Sequence, residues 1–319
     1  MLYMQWYRDI SIYPDINGYE QVFNRSLYGI NISSSVLYDG GFEVGWVGLN
    51  ILFNSLSDNF DNFLKLIGSI VSASYIYATY HYSKNPLFSI LFIMLYPSAF
   101  GLSFYVLKQS LAFSIILFAL YFINEKKPYK YLCLVFLALS FHYSAIIFIP
   151  LYWLKKKIEN GITLNFLIFI FLLLIIGTRF LTIISTSNII GEKYDGYLSS
   201  GGNLLPLLLV SLVTIIMIAK NKQIQKGILH NNRESKSNHS YMIVAYCILG
   251  SMVCIGIYGT RMDRMALYFT NFLAFSVPMA SSILSPILAK ILRSAYLIFT
   301  LVWVLFSNDY CDINHFNII

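Results

Sequence analysis

Charge is scarce in this chain. Asp, Glu, Lys and Arg together make up 12% of its 319 residues, about half of the roughly 25% usual in soluble domains. Apolar residues make up 57% and the mean hydropathy is +0.65. A soluble fold of this length could not cover so much apolar surface with so few polar groups. The shortage excludes a soluble enzyme, a nucleic-acid-binding domain and a disordered chain. Cysteine is nearly absent as well. Cys133, Cys247 and Cys254 sit inside apolar runs and Cys311 lies in the tail, and no spacing fits a metal knuckle or a disulfide framework. The first strong apolar run begins only near Leu64, so no cleavable signal peptide is expected. No internal repeat is found. Apolar residues come in continuous runs rather than in alternation, which excludes an outer-membrane barrel.

What is present is a series of apolar segments close to membrane-spanning length. They fall roughly at 63–80, 87–106, 109–123, 163–183, 204–219, 241–258, 265–284 and 294–307. The run from Tyr129 to Leu154 is different, because lysines bracket it on both sides: Lys126, Lys127 and Lys130 before, Lys155, Lys156 and Lys157 after. Basic clusters collect in the cytoplasm, so a single span would put one of them on the wrong side. The run is also too short for two full spans. A re-entrant pair of half-length helices satisfies both constraints, each arm of about 12 residues rising roughly 18 Å. Its turn falls near Phe141-His142-Tyr143, at a depth allowed only where protein or a wet cavity covers the backbone.

The expected fold is therefore all-α: a polytopic bundle of about eight spans plus one re-entrant hairpin, forming a single integral membrane domain over residues 1–319. Residues 1–60 form an extracytoplasmic segment, 61–307 the transmembrane bundle and 308–319 an outer tail. With this threading the inner loops hold 14 basic against 3 acidic residues, net +11, and the outer set holds 8 against 12, net −4, in keeping with the overall +7. One feature is unusual. A 60-residue polar segment must cross the membrane with no span before it, which points to a start further upstream. Within that segment, residues 44–56 are expected to form an amphipathic helix in the outer interface.

Positive charge on the outer side runs against topology and calls for another reason. Its carriers are Arg8, Arg25, Lys65, Lys108, Arg179, Lys193, Arg261 and Arg264. Any one of them can snorkel from a helix end. Lys108, Arg179, Arg261 and Arg264, converging at similar depth, make an anion site. Lys108 stands roughly 24 Å and His142 roughly 18 Å above the lysine-rich loop at 124–130, on helices expected to be antiparallel neighbours. A cation and a titratable imidazole at one level make a reaction centre. The ordinary alternative for His142 is a core histidine bonded to a backbone carbonyl. The outer segment also interleaves carboxylates with aromatic residues, as in Asp15-Ile16-Asn17-Gly18-Tyr19-Glu20 and Asp39-Gly40-Gly41-Phe42-Glu43-Val44-Gly45-Trp46. Such a pattern suits sugars, although aromatic residues are common at membrane interfaces anyway.

These motifs together resemble the EpsG-like family of bacterial polysaccharide polymerases, related in role to Wzy-type O-antigen polymerases. The resemblance rests on Arg8, Asp15 and Tyr19; on Glu43-Val44-Gly45-Trp46 with Leu49-Asn50; on Lys108-Gln109; on Ala138-Leu139-Ser140-Phe141-His142-Tyr143-Ser144-Ala145; and on Arg264 before Tyr268-Phe269. Family members usually carry Arg-Gln where this chain has Lys108-Gln109, and Lys lacks the planar fork that fits phosphate. They also carry a span before the first motif.

The resemblance implies a glycosyltransferase of the inner membrane, GT-C-like in kind, joining undecaprenyl-diphosphate-linked oligosaccharide repeat units at the outer face. It implies Arg264, Arg261 and Lys108 on the diphosphate, with Arg179 and Gln109 assisting, and His142 as base or acceptor-positioning group. Arg8, Asp15, Tyr19 and Glu43 would shape the sugar site. No cofactor or metal is expected. The expected partners are the lipid-linked oligosaccharide, membrane lipid and a chain-length regulator protein, with no nucleic acid. The rival readings are a flippase of lipid-linked sugars, which should show repeated halves and midplane charges, and a membrane acyltransferase, which should carry its acyl-handling residues towards the cytoplasm.

Overall fold

The computed structural model describes residues 1–8, 14–26, 43–96, 99–153 and 271–306, with positions 212, 213, 216 and 268. The expected spans at 163–183 and 241–258, most of 204–219 and the tail 308–319 lie outside the described residues. In chain order the elements are α1 (Leu2–Trp6), α2 (Pro14–Ser26), α3 (Val44–Asn54), α4 (Phe60–Tyr82), α5 (Pro86–Leu95), a 3₁₀ turn (Gly101–Phe104), α6 (Leu107–Asn124), α7 (Pro128–Phe141), a second 3₁₀ segment (Tyr143–Phe148), α8 (Leu273–Ser281) and α9 (Pro286–Phe306). No strand occurs among the described residues, in agreement with the all-α expectation. Among the same residues, no helix is long and apolar enough to cross a membrane.

The chain divides into two compact units. The first comprises Met1–His81, Ile90–Ile149 and Leu297–Ile319. Its N-terminal helices are folded onto the start of α4 around an aromatic cluster. Phe23 of α2 lies 5.2 Å from Phe63, Trp46 of α3 lies 5.6 Å from Phe63, and Tyr19 lies 5.0 Å from Trp46, centroid to centroid. Phe23, Trp46 and Phe63 are fully buried. Rings at these distances and tilts gain about 0.5–1.5 kcal/mol per pair beyond the area they bury. Gly68 lets α1 approach α4: a Cβ there would stand 2.7 Å from the Cβ of Gln5. Buried Gln5 uses that closeness, donating from Nε2 to Ser103 Oγ and accepting from Arg8 Nη1 at 2.8 Å.

Helices α6 and α7 are joined by Glu125-Lys126-Lys127, with Lys126 in the left-handed region at φ 56°, and they pack along one another. Pro128 opens α7, where its missing N–H would have had no partner in any case. The helix stops at Phe141, and His142 is extended at φ −158°, ψ 119°. The chain then doubles back as a 3₁₀ segment, and the buried Tyr131 hydroxyl near the start of α7 donates to the Phe148 carbonyl at 2.6 Å. The returning arm of the hairpin is a 3₁₀ helix over Tyr143–Phe148, in place of the expected α-helix. Pro150 cannot donate to the Ile146 carbonyl, which is bonded instead by the Ile149 N–H at 3.0 Å.

The segment expected as one span at 87–106 is also interrupted. Helix α5 ends at Leu95, and a 3₁₀ turn precedes α6. Tyr96 precedes Pro97, and a residue in that position is disfavoured in the helical region.

In the second unit, Tyr82–Ser89 and Pro150–Tyr296, α8 is buried along its whole length. The Ser89 hydroxyl donates to the Ala274 carbonyl at 2.5 Å, and Phe275 meets Tyr82 edge-on at 6.2 Å.

Removing the hydroxyl that fastens the hairpin leaves a buried carbonyl without its donor. Tyr131→Phe is expected to lower the stability of the folded chain by about 1–2 kcal/mol. The check is the unfolding midpoint in detergent, which should fall for this variant and stay put for Tyr129→Phe, since Tyr129 is exposed.

Candidate functional site

Three residues far apart in sequence meet in the first unit. Glu43 is the N-cap residue of α3, with extended backbone and no capping bond from its own side chain. Its carboxylate faces Lys108, in the first turn of α6, and His142, at the break after α7. Lys108 Nζ donates to Glu43 Oε2 at 2.6 Å, and His142 Nδ1 lies 3.0 Å from Glu43 Oε1. The carboxylate is nearly sealed from solvent, with 4% of its side chain exposed, against 16% for Lys108 and 28% for His142. The Lys108 and His142 side chains therefore stay partly open to solvent while that of the acid is almost closed off.

Burial alone would push the Glu43 carboxyl up. The hydrogen bonds with His142 and Lys108, together with the Lys108 charge, outweigh it and hold the carboxyl below its ordinary value. Its place at a helix N-terminus acts in the same direction. The acid is thus ionised at neutral pH and accepts from both neighbours. A desolvated carboxylate is stable only with such partners, and removing one leaves a buried charge costing about 3–5 kcal/mol.

The close approach of α3 to α7 fixes the arrangement. A Cβ on Gly45 would come within 2.7 Å of the Ser140 carbonyl oxygen and 2.8 Å of its carbon, and would collide with Ser140 Oγ. These are backbone atoms that cannot swing away. Only glycine lets the first turn of α3 lie against the last turn of α7, which brings Glu43 beside His142. In the sequence Gly45 counts merely as part of a motif. The sign of its role is its place inside a helix, where glycine is otherwise unfavourable and often marks such an approach. Ser140, Gln5 and Ser103 carry no comparable signal.

The other residues expected at the site take varied places. Tyr19 is buried against Trp46, and Gln109 is buried next to Lys108. Arg8 is buried and bonded to Gln5. Asp15 is exposed in the first turn of α2. Asn50 is fully buried and donates to the Trp46 carbonyl at 2.7 Å within α3. His142 faces a carboxylate, not a backbone carbonyl. Glu43, expected to touch sugar, has both oxygens engaged by protein, and Lys108, expected on a diphosphate, has its ammonium on Glu43. Arg179, Arg261 and Arg264 lie outside the described residues. Among the described residues no group of His, Cys, Asp and Glu could hold a metal ion.

The chain matches the model of the EpsG family over residues 8–315. No curated protein and no solved structure matches it.

The lowered Glu43 carboxyl makes stability depend on pH in a defined direction. The folded chain gives up this proton more readily than the unfolded one. The contribution is therefore full above the ordinary carboxylate value of 4.5 and is lost as pH falls through the folded value. Glu43→Gln should lower the unfolding midpoint at pH 7, and the gap to the wild type should close on acidification below about pH 4. Midpoint curves for the two proteins that ran parallel across this range would contradict the assignment.

Proposed function

The chain belongs to the EpsG family, and on that premise we propose that it is a polysaccharide polymerase. The family is one of polysaccharide polymerase-like, glycosyltransferase-like proteins. The specific reading is transfer of a growing glycan from undecaprenyl diphosphate to a hydroxyl of the next lipid-linked repeat unit, at the outer face of the bacterial inner membrane. The acceptor oxygen attacks the anomeric carbon, and the bond from that carbon to the diphosphate oxygen breaks. The hydroxyl proton passes to a base, and the lipid diphosphate leaves with the bonding electrons. Charge builds on the diphosphate, which favours cations there. Arg264 and Arg261, with Arg179 as a third, are assigned to it. His142 is assigned as the base.

The observation that carries this reading is the cluster of Glu43, Lys108 and His142: a carboxylate, an ammonium and an imidazole assembled from three separate elements within the matched region. The charge split between the two sets of loops supports the location, as does an apolar content of 57%.

A deletion strain separates the rival functions. Lipid or glycan capped with a single repeat unit is expected for a polymerase. Loss of surface glycan would indicate a flippase, and full-length glycan lacking a substituent an acyltransferase. Within the polymerase reading, His142→Ala and Arg264→Ala should each abolish the ladder of glycan lengths while the protein still inserts, with the protein level measured alongside. Arg264→Lys should lose on the order of 100-fold in activity, because a point charge replaces a two-pronged donor. Normal ladders from both alanine variants would overturn the site. For the location, an impermeant thiol reagent should label Asp195→Cys and leave Lys236→Cys silent in intact cells carrying Cys311→Ser; the opposite pattern would invert the topology.

A further inference from the structure

We infer that Glu43 is the positioning residue for His142: one carboxylate oxygen holds the imidazole Nδ1, Lys108 holds the other oxygen, and Nε2 is left to take the acceptor proton. The inference rests on the polymerase reading and adds to it a defined role for each member of the cluster.

A carboxylate only accepts hydrogen bonds, so the Nδ1 that lies 3.0 Å from Glu43 Oε1 carries the hydrogen. A neutral imidazole has one N–H. With that hydrogen on Nδ1, the lone pair lies on Nε2, across the ring from Glu43. His142 is also the most exposed of the three side chains, so it is the member open to a substrate. When a sugar hydroxyl attacks the anomeric carbon, its proton moves to Nε2 and the imidazole becomes a cation. The adjoining carboxylate stabilises that cation. The glycan–diphosphate bond breaks in the same step, and the proton later returns to solvent.

Lys108 has a different part from a diphosphate clamp. Its ammonium stands 2.6 Å from Glu43 Oε2 and leaves Oε1 to the imidazole. It fixes the direction of a carboxylate that has almost no water to orient it. Gly45 and Ser140 set the distance, since anything larger than hydrogen at position 45 would push α3 off α7. The backbone adds to the same constraint: His142 is extended between two helical segments, with its N–H bonded to the Ala138 carbonyl and its own carbonyl accepting from Ala145. The ring is thus held from the main-chain side and from the Nδ1 side, and among the described residues Nε2 makes no hydrogen bond to protein.

The test uses the full chain in lipid nanodiscs, labelled with [¹⁵N]histidine and assigned by difference from His142→Gln. The wild type should show Nδ1 protonated at His142, and an Nε2–H tautomer would overturn the inference whatever the enzyme does. With purified lipid-diphosphate-linked repeat units as substrate, Glu43→Gln should lower kcat on the order of 100-fold with little change in KM. An unchanged kcat would overturn it. The double variant Glu43→Gln/Lys108→Met should be no slower than Glu43→Gln alone, since Lys108 acts through Glu43. Multiplied losses would return Lys108 to an independent role on the substrate. A wild-type chain that transfers no glycan defeats the polymerase reading instead, and the tautomer still decides the geometry.

Discussion

A nearly dehydrated carboxylate is the constraint on which the site depends. Glu43 lies at the start of a helix in the N-terminal segment, while its two partners lie 65 and 99 residues further along the chain. Each contact closes a long loop, and the entropy of that closure must be offset by packing elsewhere. The offset is visible in the aromatic cluster. Phe23, Trp46, Phe53 and Phe60 surround Phe63 and fasten the N-terminal helices to α4. The ion pair alone could not do this, because buried pairs contribute little beyond their own desolvation. Apolar packing brings the elements together, and the charges select one way of arranging them.

The hairpin supplies the other half of the geometry. A helix that continued past Phe141 would carry His142 around the α7 axis with its neighbours. Instead the chain leaves the helix at His142, and the Tyr131–Phe148 bond holds the return against α7. The imidazole therefore sits at an end fixed on both sides, by α7 before it and by the returning 3₁₀ segment after it. The Gly45–Ser140 contact adds a third element at the same level. Three backbones converge within a few residues of the ring, which is how a side chain comes to be held closely enough for proton transfer.

Much of this was legible in the sequence, and the illegible part has a physical cause. The helical class follows from continuous apolar runs. The break near His142 follows from the lysines on either side of residues 129–154. Lys108 and His142 could be placed at similar levels by counting rise per residue. Glu43 could not be placed, because its position depends on a packing contact through Gly45 and on no periodicity. Its carboxylate suggested sugar, since nothing in a linear pattern distinguishes an acid that faces solvent from one sealed against an amine. The interruption before α6 did have a signal in Pro97, outweighed by the length of the apolar run. The arginines assigned to the diphosphate were read from the outer-side charge and from the family resemblance, and they lie outside the described residues.

The identity of residue 108 bears on how the cluster divides its work. An ammonium is a compact charge that donates to a carboxylate oxygen from one direction. At Glu43 it engages Oε2 and leaves Oε1 to His142. A guanidinium in the same place would present two parallel N–H groups matched to both oxygens of a carboxylate, and it would compete with the imidazole for Oε1. The fork that makes arginine the better phosphate ligand thus makes it the poorer companion to a carboxylate already shared with a histidine. On this ground lysine at position 108 fits an arrangement in which the acid, and not the diphosphate, is what the cation holds.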